Sequence, residues 1–320
     1  MKKIFVAGHK GMVGSAIFRK LKNKSNKIVI ADKKKLNLLD QKSVLSFFKK
    51  NKFDEVYLCA AKVGGIHANN TYIADFIYQN LEIQNNCIHS AYLTKVKKLM
   101  FLGSSCVYPK KPRIPIKEEY LLTSELENTN EMYAIAKIAG LKMCKAYNSQ
   151  FKTDFRAVMP TNLYGQNDNY DSLNSHVLAA LIKKIVLAKK QNKQSFIVWG
   201  TGKPKREFLH VDDLAEASLF ILNLSFEEFQ KNVTSMQSHI NVGSGKDLTI
   251  KELAEKIMQV VGFQGKIIFD TSKPDGTPRK LLNVDLINRL GWHHKINLKD
   301  GLTQTYEWLL KNESTLEYAN

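Results

Sequence analysis

Residues 8 to 14 read GHKGMVG and follow the apolar run Lys3-Ile4-Phe5-Val6-Ala7. Behind them, Ser15 to Leu21 carries apolar residues at helical spacing. The order is strand, G-x-x-G-x-x-G, helix. Glycines at such a junction let the backbone turn tightly and approach a pyrophosphate, and the helix N-terminus offers unpaired N–H groups and a positive dipole end. Gly8, Lys10, Gly11, Met12, Val13 and Gly14 are therefore expected to bind a dinucleotide.

Outward from this motif the alternation continues. Lys27 to Ala31 is a second β-branched run, Gln41 to Lys50 looks helical, and Glu55 to Ala61 reads as a third strand. A long amphipathic helix is expected over Tyr78 to Leu93, a strand over Lys98 to Gly103, a helix over Glu131 to Phe151 and a strand over Phe155 to Pro160. Such alternation argues for the α/β class, a Rossmann-type doubly wound parallel sheet with helices on both faces. Beyond residue 165 the rhythm loosens. Helices are expected over Asn174 to Lys190 and Val211 to Asn223, and strands over Phe196 to Trp199, His239 to Val242 and Lys266 to Phe269. Thr249 and Glu252 form a capping-box pattern that opens another helix. This region reads as a smaller α/β substrate-binding lobe. The expected division is residues 1–165 for the cofactor and 166–320 for the substrate, with the 211–223 helix packing back on the first part.

Composition narrows the function. The chain has 320 residues and a net charge of +18, but only six of its 48 basic residues are arginine. Phosphate and base recognition favour arginine, so a lysine-rich ordinary surface is expected and not nucleic-acid binding. No stretch approaches the roughly 18 apolar residues of a membrane span, and the apolar run at the N-terminus stops at Gly8. A cytoplasmic protein is expected. The four cysteines, Cys59, Cys87, Cys106 and Cys144, have no metal-ligand spacing, so no metal is expected.

Asp32 ends the second strand, 18 residues after Gly14. An acid there binds a ribose diol and favours NAD. Lys33, Lys34 and Lys35 follow it, however, and Lys10 sits in the glycine loop; these cations suit the 2′-phosphate of NADP. The residues leave the choice open.

Tyr133 and Lys137 form Y-x-x-x-K within a helical pattern, so phenol and ammonium share one face. The cation is expected to lower the tyrosine pKa and make it an acid–base catalyst. Twenty-nine residues upstream stands Ser104, in Gly103-Ser104-Ser105-Cys106 at the end of the fourth strand. Strand periodicity would turn Cys106 the same way as Ser104.

These residues resemble the extended, nucleotide-sugar-modifying short-chain dehydrogenases/reductases. Within them the chain is similar to the bifunctional enzymes that convert GDP-4-keto-6-deoxy-D-mannose to GDP-L-fucose. The likeness runs through AGHKGMVGSAI (7–17), AAKVGGIHANNTYIADFIYQN (60–80), FLGSSCVYP (101–109), NEMYAIAKIAG (130–140), MPTNLYG (159–165), NSHV (174–177), REFLHVDD (206–213), INVGSG (240–245) and KPDGTPRK (273–280). It implies NADPH-dependent 3,5-epimerisation and 4-reduction of that GDP-linked 4-keto sugar. It makes Ser104, Tyr133 and Lys137 the reduction triad, and Cys106 and His176 the epimerisation pair, here read as base and acid. Pro160, Thr161, Asn162 and Leu163 would lie along the nicotinamide, with Lys137 and His176 also near the cofactor. Lys184, Trp199, Arg206 and Asp275 would contact the GDP-sugar, with Arg279 nearby and His67 and Asn69 as further substrate-loop candidates. A homodimer paired through the 78–93 and 131–151 helices is expected. The alternative is a C4-reductase, with or without epimerase activity, acting on another GDP-4-keto sugar such as a 6-deoxyheptose. The segment GQNDNYDSLNSH (165–176) lacks the prolines usual in the family. His293 and His294 are expected in a surface turn, and His210 at the entry of the 211–223 helix.

Overall fold

β1 (Lys3–Ala7) shows how the sheet acquires two covered faces. Successive strand side chains point to opposite sides. Phe5 and Ala7 enter one apolar core, and Ile4 and Val6 enter another. The structure, a computed structural model, describes residues 1–22, 25–171, 175–234 and 237–314, the side chains of Ile66 and His67 excepted.

In chain order, β1 leads to α1 (Met12–Lys22), β2 (Lys27–Val29), α2 (Gln41–Asn51), β3 (Glu55–Leu58), α3 (Ile66–Thr71), α4 (Ile73–Leu93), β4 (Lys98–Leu102), α5 (Glu131–Phe151) and β5 (Asp154–Pro160). Then come β6 (Asn162–Tyr164), α6 (Val177–Lys190), β7 (Ser195–Trp199), β8 (Lys205–His210), α7 (Val211–Asn223), α8 (Phe226–Lys231) and β9 (Ile240–Val242). The chain closes with β10 (Asp247–Thr249), α9 (Ile250–Val261), β11 (Lys266–Asp270), β12 (Arg279–Lys280), α10 (Asp285–Arg289) and α11 (Leu298–Lys311).

The main sheet has six parallel strands in the order β2-β1-β3-β4-β5-β9. Residues of α2, α4 and α5 join the core on the Phe5 side, and residues of α1 and α7 the core on the Ile4 side. The chain leaves β1 for β2 on one flank and returns to β3 on the other. Strand order thus reverses around β1, and the crevice at the carboxyl ends of β1 and β3 is where such sheets bind ligands.

The strand expected at 239–242 completes this main sheet by pairing with β5, and does not belong with the smaller lobe. The smaller lobe has its own core, drawn from α6, β7, β8, α9 and α11. It is built around a four-stranded sheet of β10, β8, β12 and β6 and a parallel pair of β7 and β11. β8 escaped the sequence pattern because its sequence, KREFLH, is half charged, yet Glu207 within it is fully buried.

Several boundaries move for local reasons. α1 opens at Met12, inside the glycine motif. α4 starts five residues before Tyr78 and follows α3 almost without a break. β3 stops at Leu58, leaving 59–61 to line the crevice. α6 is described from Val177, and the expected start at Asn174 lies outside the described residues. α9 has the expected capping box: Thr249 accepts from the Glu252 N–H, and the Glu252 side chain accepts from the Thr249 N–H. No helix among the described residues is long and apolar enough to cross a membrane.

Candidate active site

The glycine loop turns at Gly8, whose φ of +84° lies in the region glycine favours. A Cβ there would sit 2.8 Å from the Ala60 nitrogen across the crevice. The Gly11 N–H donates to the Gly8 carbonyl at 3.0 Å, and a Cβ on Gly14 would run into that same carbonyl. Gly11 differs. The nearest atom to a Cβ there is the Gly8 oxygen at 3.5 Å, so the loop is open on that side. Met12 and Val13 form the first turn of α1 and pack partly into the core. An open cradle at a helix N-terminus fits the pyrophosphate of a dinucleotide.

Asp32 lies beyond β2, and Lys10 bonds it at 3.3 Å. The Lys35 N–H and then Lys10 hold its carboxyl below the usual range. Lys33 and Lys34 are exposed beside it. At the far end of the crevice Pro160 closes β5. The Thr161 N–H donates to the Val242 carbonyl at 3.0 Å, the Asn162 side chain donates to the Glu207 carbonyl at 2.8 Å, and Leu163 packs against the core.

The serine and the cysteine meet by a route that strand periodicity did not foresee. β4 stops at Leu102, and Ser105 to Val107 form one turn of 3-10 helix capped by Ser104. The turn brings the Cys106 sulfur 3.0 Å from the Ser104 hydroxyl. Tyr133 of α5 lies beside Ser104, whose hydroxyl favours the charged form of the phenol. The Tyr133 ring meets Phe76 edge-on at 6.2 Å.

The tyrosine pKa departs from the sequence expectation. Burial, then Cys106, push it above the ordinary value, while the Ser104 hydroxyl works the other way. Lys137 does not reverse this. Its ammonium donates to the Leu102 carbonyl at 2.8 Å and sits 5.8 Å from the Tyr133 ring centre. Burial pulls Lys137 itself down to about 8. Tyr133 is thus a protonated phenol, the form that can give a proton. Burial raises the Cys106 thiol, opposed by Lys280, Ser104 and Lys137. His176 stands at the N-cap position of α6 without a side-chain cap bond, its surface exposed, and desolvation by the surrounding protein lowers its pKa.

A second cluster forms in the smaller lobe. The Trp199 indole is 60% exposed, with the Lys184 ammonium 5.0 Å and the Lys273 ammonium 5.8 Å from its ring centre. Asp275 accepts from the Thr201 N–H at 2.8 Å and from the Thr201 hydroxyl at 2.6 Å. Arg206 donates to the Thr277 carbonyl at 2.5 Å, and burial lowers its pKa. An exposed indole flanked by cations can take a flat base and a diphosphate. Arg279 turns away from this cluster and pairs with Asp247 at 2.5 and 3.2 Å. Asn69 donates to the carbonyls of Gly64 and Gly65, while its neighbour His67 has a side chain outside the described residues. His210 caps α7, its ring accepting from the Asp212 N–H at 3.3 Å, and His293 and His294 lie in a surface loop.

Lys273, Lys280 and Glu207 were not singled out by sequence reasoning. All three lie in the segments KPDGTPRK and REFLHVDD, so the signal was present but unassigned.

Residues 4–243 match the NAD dependent epimerase/dehydratase family. The chain belongs to this family. Within the epimerase/dehydratase family it is 54% identical to GDP-L-fucose synthase of Escherichia coli (strain K12) over 313 residues, covering 98% of each chain. It is 58% identical to putative GDP-L-fucose synthase 2 of Arabidopsis thaliana over 311 residues, covering 97% of this chain and 92% of that one. Among solved structures, GDP-mannoheptose C4 reductase from Campylobacter jejuni with NADP bound superposes with a TM-score of 0.88 at 41% identity, covering 97% and 98%. The crevice over the glycine loop is accordingly a nicotinamide-cofactor site.

Proposed function

We propose that the chain is an NADPH-dependent enzyme that epimerises C3 and C5 of GDP-4-keto-6-deoxy-D-mannose and reduces C4, giving GDP-L-fucose. The observation that carries this reading is the union of two chemistries at one turn. Ser104 stands beside Tyr133 on one side, and the Cys106 sulfur lies 3.0 Å from it on the other. The identity of 54 to 58% to proteins named GDP-L-fucose synthase supports the same substrate.

NADPH, when bound, supplies the hydride that reduces C4. The glycine loop holds its pyrophosphate, and Lys10 and Lys33 suit its 2′-phosphate. Ser104 holds the C4 oxygen, and Tyr133 gives that oxygen its phenolic proton. A C4 ketone acidifies the protons on C3 and C5. At each of the two centres in turn the Cys106 thiolate removes the proton to leave an enediolate and His176 gives a proton back on the opposite face, the pair exchanging protons with solvent between the two inversions. Lys184, Trp199, Arg206 and Asp275 hold the GDP moiety.

Purified chain, NADPH and GDP-4-keto-6-deoxymannose provide the test. The expected product is inverted at C3 and C5 and reduced at C4. Reduction without inversion would favour a C4-reductase on another GDP-sugar, a reading supported by the 41% identity to the Campylobacter heptose enzyme. Replacing both Cys106 and His176 should abolish exchange of the C3 and C5 protons with deuterated solvent.

We assign residues 1–165, with α7 and β9, to the cofactor and the remainder to the nucleotide sugar. A homodimer through α4 and α5 fits their exposed apolar residues Tyr78, Leu93, Ile135 and Phe151.

A further inference from the structure

Tyr108 closes the 3-10 turn that carries Cys106, and it is buried. A buried phenol requires polar partners. It has two. The His239 Nε2 lies 2.7 Å from the Tyr108 oxygen, and the Tyr108 hydroxyl donates to the Asn241 Oδ1 at 2.5 Å. His239 and Asn241 are fully buried, one beside β9 and one within it.

The direction of each bond follows from Asn241. Its amide nitrogen donates to the carbonyls of Ile116 at 3.0 Å and Asn283 at 3.3 Å. A flipped amide would set its oxygen against both carbonyls, so Oδ1 faces Tyr108 and takes its one proton. His239 therefore donates to the phenol from Nε2. Burial pulls the His239 pKa down to about 3, so the ring does this as a neutral imidazole.

The turn is anchored at both ends. At its start the Gly103 N–H donates to the Val158 carbonyl at 2.9 Å, continuing the pairing of β4 with β5, and a Cβ on Gly103 would run into Met159. At its end stands the Tyr108 hydroxyl. Asn241, which holds it, lies opposite Met159 in the main sheet, and its N–H donates to the buried Glu118 carboxylate at 3.1 Å. The Ile116 N–H donates to the Leu281 carbonyl and the Asn283 N–H to the Ile116 carbonyl, both at 2.8 Å. Between the anchors the turn's own bonds are long. The Val107 N–H reaches the Ser104 carbonyl at 3.2 Å and the Tyr108 N–H the Ser105 carbonyl at 3.5 Å. A single 3-10 turn with such bonds depends on its ends for its shape.

We propose that Tyr108 is a positioning residue for both halves of the reaction: its hydroxyl, held between His239 and Asn241, fixes the far end of the turn and so places the Ser104 oxygen and the Cys106 sulfur. This role rests on the reading of Ser104 and Cys106 as the groups that act on the sugar. The GDP moiety and the cofactor are held by other elements. Loss of the Tyr108 hydroxyl should therefore slow turnover and leave binding in place.

Tyr108→Phe keeps the ring and removes the oxygen. With GDP-4-keto-6-deoxymannose and NADPH, kcat should fall about 10- to 100-fold while both KM values stay within about twofold of wild type. Deuterium exchange at C3 and C5 should fall with it. His239→Gln keeps an N–H donor and should retain most of the rate, whereas His239→Leu should lose it as Tyr108→Phe does. Amide hydrogen exchange on the whole chain without ligands should quicken in the 103–109 peptide of Tyr108→Phe and His239→Leu, and stay unchanged in the glycine loop. A Tyr108→Phe enzyme with wild-type kcat overturns the proposal. So does a loss of kcat that comes with raised KM for both substrates and faster exchange throughout the chain, the mark of general destabilisation. Should Tyr108→Phe not fold, the His239 pair decides: a Leu variant as active as the Gln variant overturns it. A wild type that does not turn over this sugar removes the proposed activity instead, and exchange in the 103–109 peptide then decides whether Tyr108 holds the turn.

Discussion

The Cys106 sulfur and the Ser104 hydroxyl oxygen are 3.0 Å apart, joined by one turn of 3-10 helix. A change to either atom therefore reaches both halves of the chemistry. Ser104→Ala should slow C4 reduction by about 10- to 1000-fold through the lost oxygen contact. It should also move C3/C5 deuterium exchange to higher pH, because the hydroxyl favours the thiolate. Cys106→Ser should lose exchange and keep the folded Tm. Rates of NADPH oxidation and of deuterium incorporation, measured in parallel, check both outcomes.

Lys137 is a buried cation whose pKa falls to about 8. Its folded value lies below the free lysine value, so folding works against its charge. That cost is fully present below about pH 8 and fades as pH rises toward roughly 10.4. Lys137→Met should lose at least about 100-fold in reduction and yet melt higher than wild type at pH 7. The gain in Tm should shrink between pH 8 and 10. Calorimetry across that range decides it; a gain that stays constant would contradict the titration.

The Lys10–Asp32 pair is exposed, and a 2′-phosphate would compete with Asp32 for the lysine. Asp32→Ala should lower the KM for NADPH several-fold at low salt and raise it for NADH, while Lys10→Ala does the reverse. Steady-state kinetics with both cofactors at two ionic strengths check the direction. A wild-type preference for NADH would contradict the assignment of Lys10 and Lys33.

Tyr78 is 61% and Phe151 40% exposed on the α4–α5 face. Phe151 stacks on Tyr92 at 4.2 Å, continuing an aromatic cluster to the surface. Charges there should split a dimer. Wild type is expected to size as a dimer at micromolar concentration, and the Tyr78→Glu/Phe151→Glu variant as a folded monomer. A monomeric wild type would contradict the interface.

The cofactor half was legible because one local rule governed it. Strand, glycines and helix are contiguous from Lys3 to Lys22, and the Tyr133–Lys137 spacing is set by a single helical turn. The sheet path was less legible. β9 is the short run Ile240-Asn241-Val242, and only tertiary pairing with β5 places it. β8 was hidden because a buried charge breaks the apolar pattern, and the donors that pay for Glu207 come from Gly245 and Leu282, far along the chain. The tyrosine pKa failed for a related reason. Spacing predicts that a lysine is near, but not that burial of the phenol outweighs it.

The late arrival of β9 also shapes how the chain is made. β5 ends at Pro160, and its outer partner begins only at Ile240. During synthesis β5 therefore waits as an open edge while some eighty residues emerge, among them only the first elements of the smaller lobe, β6, α6, β7 and β8. Open edges invite pairing with other chains. A fragment cut at residue 165 keeps the whole glycine loop but lacks both this strand and α7, and it is expected to aggregate instead of binding nucleotide. The nascent chain has the same weakness until Val242 has left the ribosome, which makes that interval the point at which a holding chaperone would matter most.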